Sequence, residues 1–200
     1  MSTSDTRAKM LEVAIAAIAE KGESGVRVND VAAEVGVAIT SLYHYFGSRD
    51  GLVIAAQTER YLRSLGSENE RIVEALADCK NKAQFREVLL EIHRRVNNAN
   101  RAPFRLIRVS VLGSTLGRPD LATAVGKAQD EFITSFSGFL AIAKERGWTR
   151  PDLDPVGASA WSIGQILGRI VIEIGESSVT DEQWAIASET ALLAVVMGES

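Results

Sequence analysis

Thr40, Ser41, Tyr43 and His44 bring two hydroxyls, a phenol and an imidazole together in one short stretch. Each can hydrogen-bond a phosphate oxygen or a base edge, and none is needed to fill a core of that size. Ile39, Leu42 and Phe46 recur at i, i+3 and i+7, giving a short helix one apolar stripe with the polar side chains on its other face. A helix with such a face suits a major groove. Arg27 and Asn29 join the candidate DNA contacts, and Arg49 is read as free for a phosphate. Ile39 has two readings, a core residue or an exposed side chain packing on a thymine methyl.

These residues need a frame. Leu11, Ala14, Ile15 and Ile18 fall on one face of a helix over residues 6–21, which Ser4 can cap and Lys21-Gly22 closes. Residues 22–25 are a loop. Val28, Val31, Ala32 and Val35 form a second, shorter face ending at Gly36, where positive φ costs glycine nothing. The chain turns at Gly36-Val37, and the polar helix follows. Ser48 can cap a fourth helix, with Asp50 in its first turn favoured by the helix dipole. The expectation is a three-helix helix-turn-helix domain over residues 1–48.

Asp30-Val31-Ala32, Gly36-Val37, Leu42-Tyr43-His44-Tyr45-Phe46, Ser48-Arg49-Asp50 and Leu52 resemble the N-terminal signature of the tetracycline-repressor (TetR) family of bacterial transcriptional regulators. The resemblance covers residue 6 to about residue 55. It implies phosphate contacts for Ser41, Tyr43 and Arg49, and base contacts around Ile39, Thr40 and His44. Three departures stand out: Arg27 where the family usually caps with Ser or Thr, Ala38 for the usual Ser, and Ile39 where a polar reader is common. Losing the cap removes the capping box with Asp30, although an arginine there can still reach a phosphate.

From residue 49 to 200 the pattern is a series of longer helices, so the fold class is all-α. One helix covers 49 to about 77 with a weak point at Gly66-Ser67, and another Lys82 to Asn98 with Phe85, Leu89, Ile92 and Val96 on its apolar face. Pro103 opens the next, and Pro119 the longest, to about Arg146. Asp154-Pro155 starts a helix read as running to Gly175, and Thr180 to Gln183 is a capping box for the last. Gly157, Ala160, Gly164 and Gly168 share one side of the first of these two, flanked by Trp161, and Ala187, Ala191 and Ala194 one side of the second. Small residues let helix backbones approach closely, either within the chain or between two copies. The resemblance implies the second, a four-helix homodimer interface that would set two recognition helices on two half-sites.

Composition bounds the rest. With 46% hydrophobic and 24% charged residues and no apolar run near the roughly 20 residues of a span, a globular cytoplasmic protein without a signal peptide is expected. One cysteine, Cys79, excludes an internal disulfide and a cysteine metal cluster. His44 and His93 lie far apart in sequence, with no zinc-binding helix pair and no glycine-rich loop after a strand, so no catalytic residue, metal site or cofactor is assigned. Residues 1–50 hold five cations against seven carboxylates, too weak a field to steer DNA association strongly.

Six arginines, Arg94, Arg95, Arg101, Arg105, Arg108 and Arg118, crowd residues 92–119 without one acidic residue. Arg108 has two readings, a partner for an anionic effector or a contact with the helix-turn-helix domain. His93, Phe104, Arg108, Phe132, Phe136 and Phe139 are the candidate pocket residues, each with a plainer reading in the core or on a helix surface. Gln165, Arg169 and Glu173, at i, i+4 spacing, read as solvated. The expected function is a dimeric regulator on a double-stranded operator, with a small-molecule effector implied by the resemblance, most naturally a repressor; an activator or an effector-free DNA-binding protein is the alternative.

Overall fold

Every regular element in the computed structural model, which describes residues 3–65, 75–76 and 78–199, is helical. The chain divides into two units, residues 1–63 with 111–126, and residues 64–110 with 127–200. No described helix is long and apolar enough to cross a membrane.

The first unit is built on α1 (Thr3–Lys21), α2 (Val28–Val35), α3 (Ile39–Phe46) and most of α4 (Arg49–Leu65). α1 begins earlier than its apolar pattern suggested, which puts Ser4 inside the helix rather than ahead of it. Its buried residues are Met10, Leu11, Ala14 and Ile18, packed with Val26, Val31 and Leu42. The unit continues past residue 48 because Leu52, Val53 and Ala56 of α4 are fully buried in the same core. The join between α3 and α4 is tight: a Cβ built on Gly51 would overlap the carbonyl oxygen of Phe46. The expected weak point at Gly66-Ser67 lies outside the described residues.

The second unit contains α5 (Lys82–Val96), most of α6 (Ala102–Ser114), most of α7 (Pro119–Glu145), α8 (Pro155–Gly168), the single turn α9 (Ile170–Glu173) and α10 (Asp181–Met197). Local chemistry starts these helices where sequence places them. Asn81 caps α5 by accepting from Gln84 N, Asp154 caps α8 ahead of Pro155, and Thr180 and Gln183 form the reciprocal box that opens α10. Phe85 and Leu89, Leu140 and Ala143, Ala158, and Leu192 and Val196 bring four helices into one core. Cys79 is buried at its edge, its thiol pushed up by that burial and by the Asp78 charge.

One expectation fails here. The helix from Pro155 does not run to Gly175: it stops at Gly168, turns at Arg169, and resumes for one turn. Arg169 is 3% exposed rather than solvated, and it donates to Glu173 2.9 Å away and to Asp181. Glu173 is in turn gripped by Arg105, a residue 1% exposed and the largest fully buried side chain described.

Candidate nucleic-acid interface and ligand cavity

The polar helix is held from behind and left open in front. Gly36 closes α2 at φ 74°, ψ 39°, its N–H on the Ala32 and Ala33 carbonyls, while Val37 N donates to Ala32 O at 3.0 Å. Ala38 then leads into α3 in an extended conformation without a side-chain cap. Leu42 is fully buried, and Tyr45 and Phe46 are half-buried against the core, with the Arg7 guanidinium 5.3 Å from the Phe46 ring centre.

The opposite face carries Thr40, Tyr43 and His44, all exposed, with Ser41 half-buried. Ile39 is 40% exposed, so the stripe expected from Ile39 through Leu42 to Phe46 is interrupted at its first member and Ile39 stands on the outer side. Arg27 precedes α2 with no capping hydrogen bond, and it and Asn29 are exposed.

Arg49 differs from expectation. Its Nε donates to Val26 O at 2.8 Å, Nη2 donates to Glu23 O, and Nη1 lies 3.4 Å from Asp50. It is therefore not free: it ties the start of α4 to the loop before α2. Ser48 does cap α4, accepting from Gly51 N at 2.9 Å. Glu23 gathers further partners in the same unit, accepting from Gln57 Nε2 at 2.7 Å and from Arg118. Arg63 bridges Glu12 and Glu59, and its hydrogen bond holds the Glu12 carboxyl below the usual carboxylate range.

Within the second unit, α5, α7, α8 and α10 line a half-open cavity of about 60 Å³. Leu89, Ile92, His93 and Val96 line it from α5, and Phe132 and Phe136 from α7. Ser162, Ile163, Gln165 and Ile166 of α8 and Leu192 of α10 complete the wall. Of the candidate pocket residues this brings together His93, Phe132 and Phe136. Phe139 packs against the core instead, Phe104 lies under the Arg101 guanidinium at 4.4 Å, and Arg108 donates from Nη2 to Ser64 O at 2.6 Å.

His93 is 6% exposed, its Nε2 2.9 Å from Ser188 Oγ. Asn97 donates to the His93 carbonyl at 3.0 Å and accepts from Trp184 Nε1 at 3.2 Å. Burial pushes the imidazole below its ordinary range, with Glu189 opposing and Arg94 reinforcing the shift. Gln165 was expected in solvent, yet its Nε2 is buried without a partner among the described residues, at a cost of about 1–3 kcal/mol while it stays unpaired. Leu89, Ile92 and Val96 were legible as an apolar face but not as a cavity wall. Gln165 carried a misleading signal, a polar residue in register with Arg169 and Glu173.

The arginine cluster is largely consumed internally. Arg94 forks onto Glu189 at 2.9 and 2.7 Å, Arg105 meets Glu173, Arg118 meets Glu23, Arg101 covers Phe104 and Arg108 holds Ser64. Among the described residues no group of three or more His, Cys, Asp or Glu is placed to hold a metal ion.

The small-residue faces stay open within the chain. Gly157, Ala160, Gly164 and Ala187 are exposed, Trp161, Gly168, Ala191 and Ala194 half-buried. A Cβ added at Gly164 would meet nothing within 4 Å, whereas one at Gly168 would touch Trp184 at 3.7 Å. Val156 and Ile186, 57% and 63% exposed, adjoin these faces.

Residues 10–56 match the family described as bacterial regulatory proteins, tetR family. The HTH-type transcriptional regulator BetI of Brucella canis is 32% identical over 90 residues, spanning 40% of this chain and 45% of that protein. The match thus spans less than half the length of that curated relative. A Rhodococcus sp. protein described as a TetR-family transcriptional regulator shares the fold with TM-score 0.69 at 21% identity, covering 96% of this chain and 98% of its own. A Saccharomonospora viridis protein described as a transcriptional regulator, solved in complex with choline, has TM-score 0.65 at 17% identity over 96% of this chain and 98% of its own.

Proposed function

We propose, from the match of residues 10–56 to the tetR family of bacterial regulatory proteins, that the chain is a DNA-binding transcriptional regulator of that family, a ligand-responsive repressor that binds a palindromic operator as a homodimer. The observation that carries this reading is α3: Leu42 anchors it at 0% exposure, while Ile39 and Tyr43, 40% and 46% exposed, stand outward with Thr40 and His44. A helix buried on one side and rich in hydrogen-bonding groups on the other is built to enter a major groove. Tyr43 and Ser41 take phosphates, and Ile39, Thr40 and His44 take base edges. Nothing in the reading calls for catalysis.

The exposed small residues of α8 and α10 support dimerisation through these two helices. Two copies joined there form a four-helix contact and present two α3 helices to two half-sites. The effector acts by preference: one that favours a dimer with the wrong half-site separation shifts the population away from DNA, and bound DNA weakens effector binding by the same factor. That the Saccharomonospora viridis protein is found in complex with choline supports a small-molecule effector.

The test is selection from a random duplex library by the purified chain, followed by transcription from a promoter carrying the selected site. Enrichment of two inverted half-sites and reduced transcription are expected. Recovery of single, unpaired half-sites would remove the dimeric reading, and increased transcription would make the protein an activator.

A further inference from the structure

From the chemistry of its wall we infer that the cavity between α5, α7 and α8 binds an uncharged, mainly apolar small molecule whose hydrogen-bond acceptor meets the side-chain amide of Gln165. The inference deepens the ligand-responsive reading proposed above and rests on it for its regulatory meaning.

No Asp, Glu, Lys or Arg lines the cavity. Arg108, the arginine that sequence offered to an anion, is spent on the Ser64 carbonyl, and its neighbours in the cluster, Arg94 and Arg105, on Glu189 and Glu173. An anion entering here finds no counter-charge, and a cation finds no carboxylate. Either would surrender its hydration for little return. Burial keeps the imidazole of His93 in its neutral form, so that ring too presents no charge.

Three lining residues are polar: His93, Ser162 and Gln165. His93 Nε2 is engaged with Ser188 Oγ at 2.9 Å, and the Ser162 hydroxyl donates to Ala158 O at 2.8 Å. That leaves Gln165 Nε2, buried and unpartnered among the described residues, as the unspent donor. A ketone, ester or ether oxygen needs only one donor, and the carbon skeleton attached to it meets Phe132, Phe136, Ile163 and Ile166.

Four matched probes separate the possibilities: pentan-2-one, its hydrocarbon isostere 2-methylpent-1-ene, pentanoate and pentylammonium, each titrated into the isotope-labelled full chain without DNA and followed by NMR. Both neutral probes are expected to bind at least about tenfold more tightly than either ion. The Gln165 side-chain amide protons should shift with the ketone and not with the alkene. Gln165→Leu should lower the ketone-to-alkene affinity ratio about three- to tenfold, the loss of one neutral hydrogen bond. If that variant does not fold, the amide shift in the unaltered chain decides the same point. Tighter binding of either ion, no binding of any probe, or an unmoved Gln165 amide overturns the inference. Because no DNA is present, failure of the operator selection leaves this measurement intact, and a chain that selects an operator yet ignores all four probes loses this inference alone.

Discussion

Arg105 and Glu173, 68 residues apart, meet as a forked pair with side chains 1% and 9% exposed, and Arg105 also donates to the Val96 and Asn98 carbonyls at 2.7 and 2.9 Å. The pair thereby ties the end of α5 to the turn that follows α8. Removing Glu173 leaves Arg105 charged and buried, whereas removing Arg105 leaves Glu173 paired with Arg169, so Glu173→Gln should cost about 3–5 kcal/mol in urea unfolding and Arg105→Met less. A double replacement by apolar residues should cost less than the two single changes added. Single losses below about 1 kcal/mol would mean the network is open to water.

Acid should destabilise the protein in two stages. Burial holds His93 below its ordinary value of about 6.5, so as pH falls through that value the unfolded chain takes up a proton that the folded chain refuses. Stability is complete above that range and falls toward the lowered folded value. Glu189 is held low by its hydrogen bond from Arg94; Glu173, which burial alone would raise, is held low by Arg105 and Arg169. Their contribution is present above the ordinary carboxylate value of about 4.5 and is lost as pH falls through their lowered values. Urea midpoints across about pH 2.5–7.5 should show both stages, and His93→Gln should erase the first. A variant that keeps the first stage would assign it elsewhere.

On α3, Tyr43→Phe should weaken binding to all DNA sequences about equally, whereas Thr40→Ala, His44→Ala and Ile39→Ala should alter base preference. For Ile39 the expected loss is roughly 1 kcal/mol at one T-containing position, the contact of one methyl with another. Competition binding on single-base operator variants reads this directly. An unchanged preference in all three variants would move sequence readout off this face.

Arg49→Ala should act first on folding, because two backbone carbonyls lose a charged donor; a cost of about 1–3 kcal/mol is expected. The salt dependence of DNA affinity distinguishes this from a phosphate contact. A slope reduced by about 1 per subunit would show that the guanidinium leaves Glu23 and Val26 for DNA.

Gly164→Leu should have opposite effects on the monomer and the dimer. Within the chain a Cβ there meets nothing within 4 Å, and replacing a helix-interior glycine adds about 0.5–1 kcal/mol of monomer stability. Between two copies it overfills a close backbone contact. Sedimentation should show a monomer with normal helicity, and operator affinity should collapse. A variant that remains dimeric would place the interface away from Gly164.

What sequence made legible was local. Gly36, Asp154-Pro155 and the Thr180-Gln183 box mark helix ends through interactions confined to a few residues, and the helices end or begin there. Gln165, Arg169 and Glu173 were misread because their spacing is that of a solvated face, whereas Glu173 is bound by Arg105 from a distant helix and Arg169 by Glu173 and Asp181. Arg49 shows the same blindness at shorter range. Its cation reads as available until the carbonyls of Glu23 and Val26 are seen to occupy it. The cavity combined both cases, with apolar walls foreseeable along α5 and a lone amide donor that only the packed helices isolate.

The overlap that a Cβ on Gly51 would have with the Phe46 carbonyl gives this scaffold a practical property as an engineering host. The angle between α3 and α4 is set by main chain against main chain, with no rotamer able to absorb a change, so Gly51 is a position where saturation mutagenesis should return almost nothing but glycine. Ile39, Thr40 and His44 stand outside that joint. Libraries that randomise those three while keeping Leu42, Phe46 and Gly51 fixed should therefore yield folded proteins with altered specificities, each presenting its recognition helix at the parental angle.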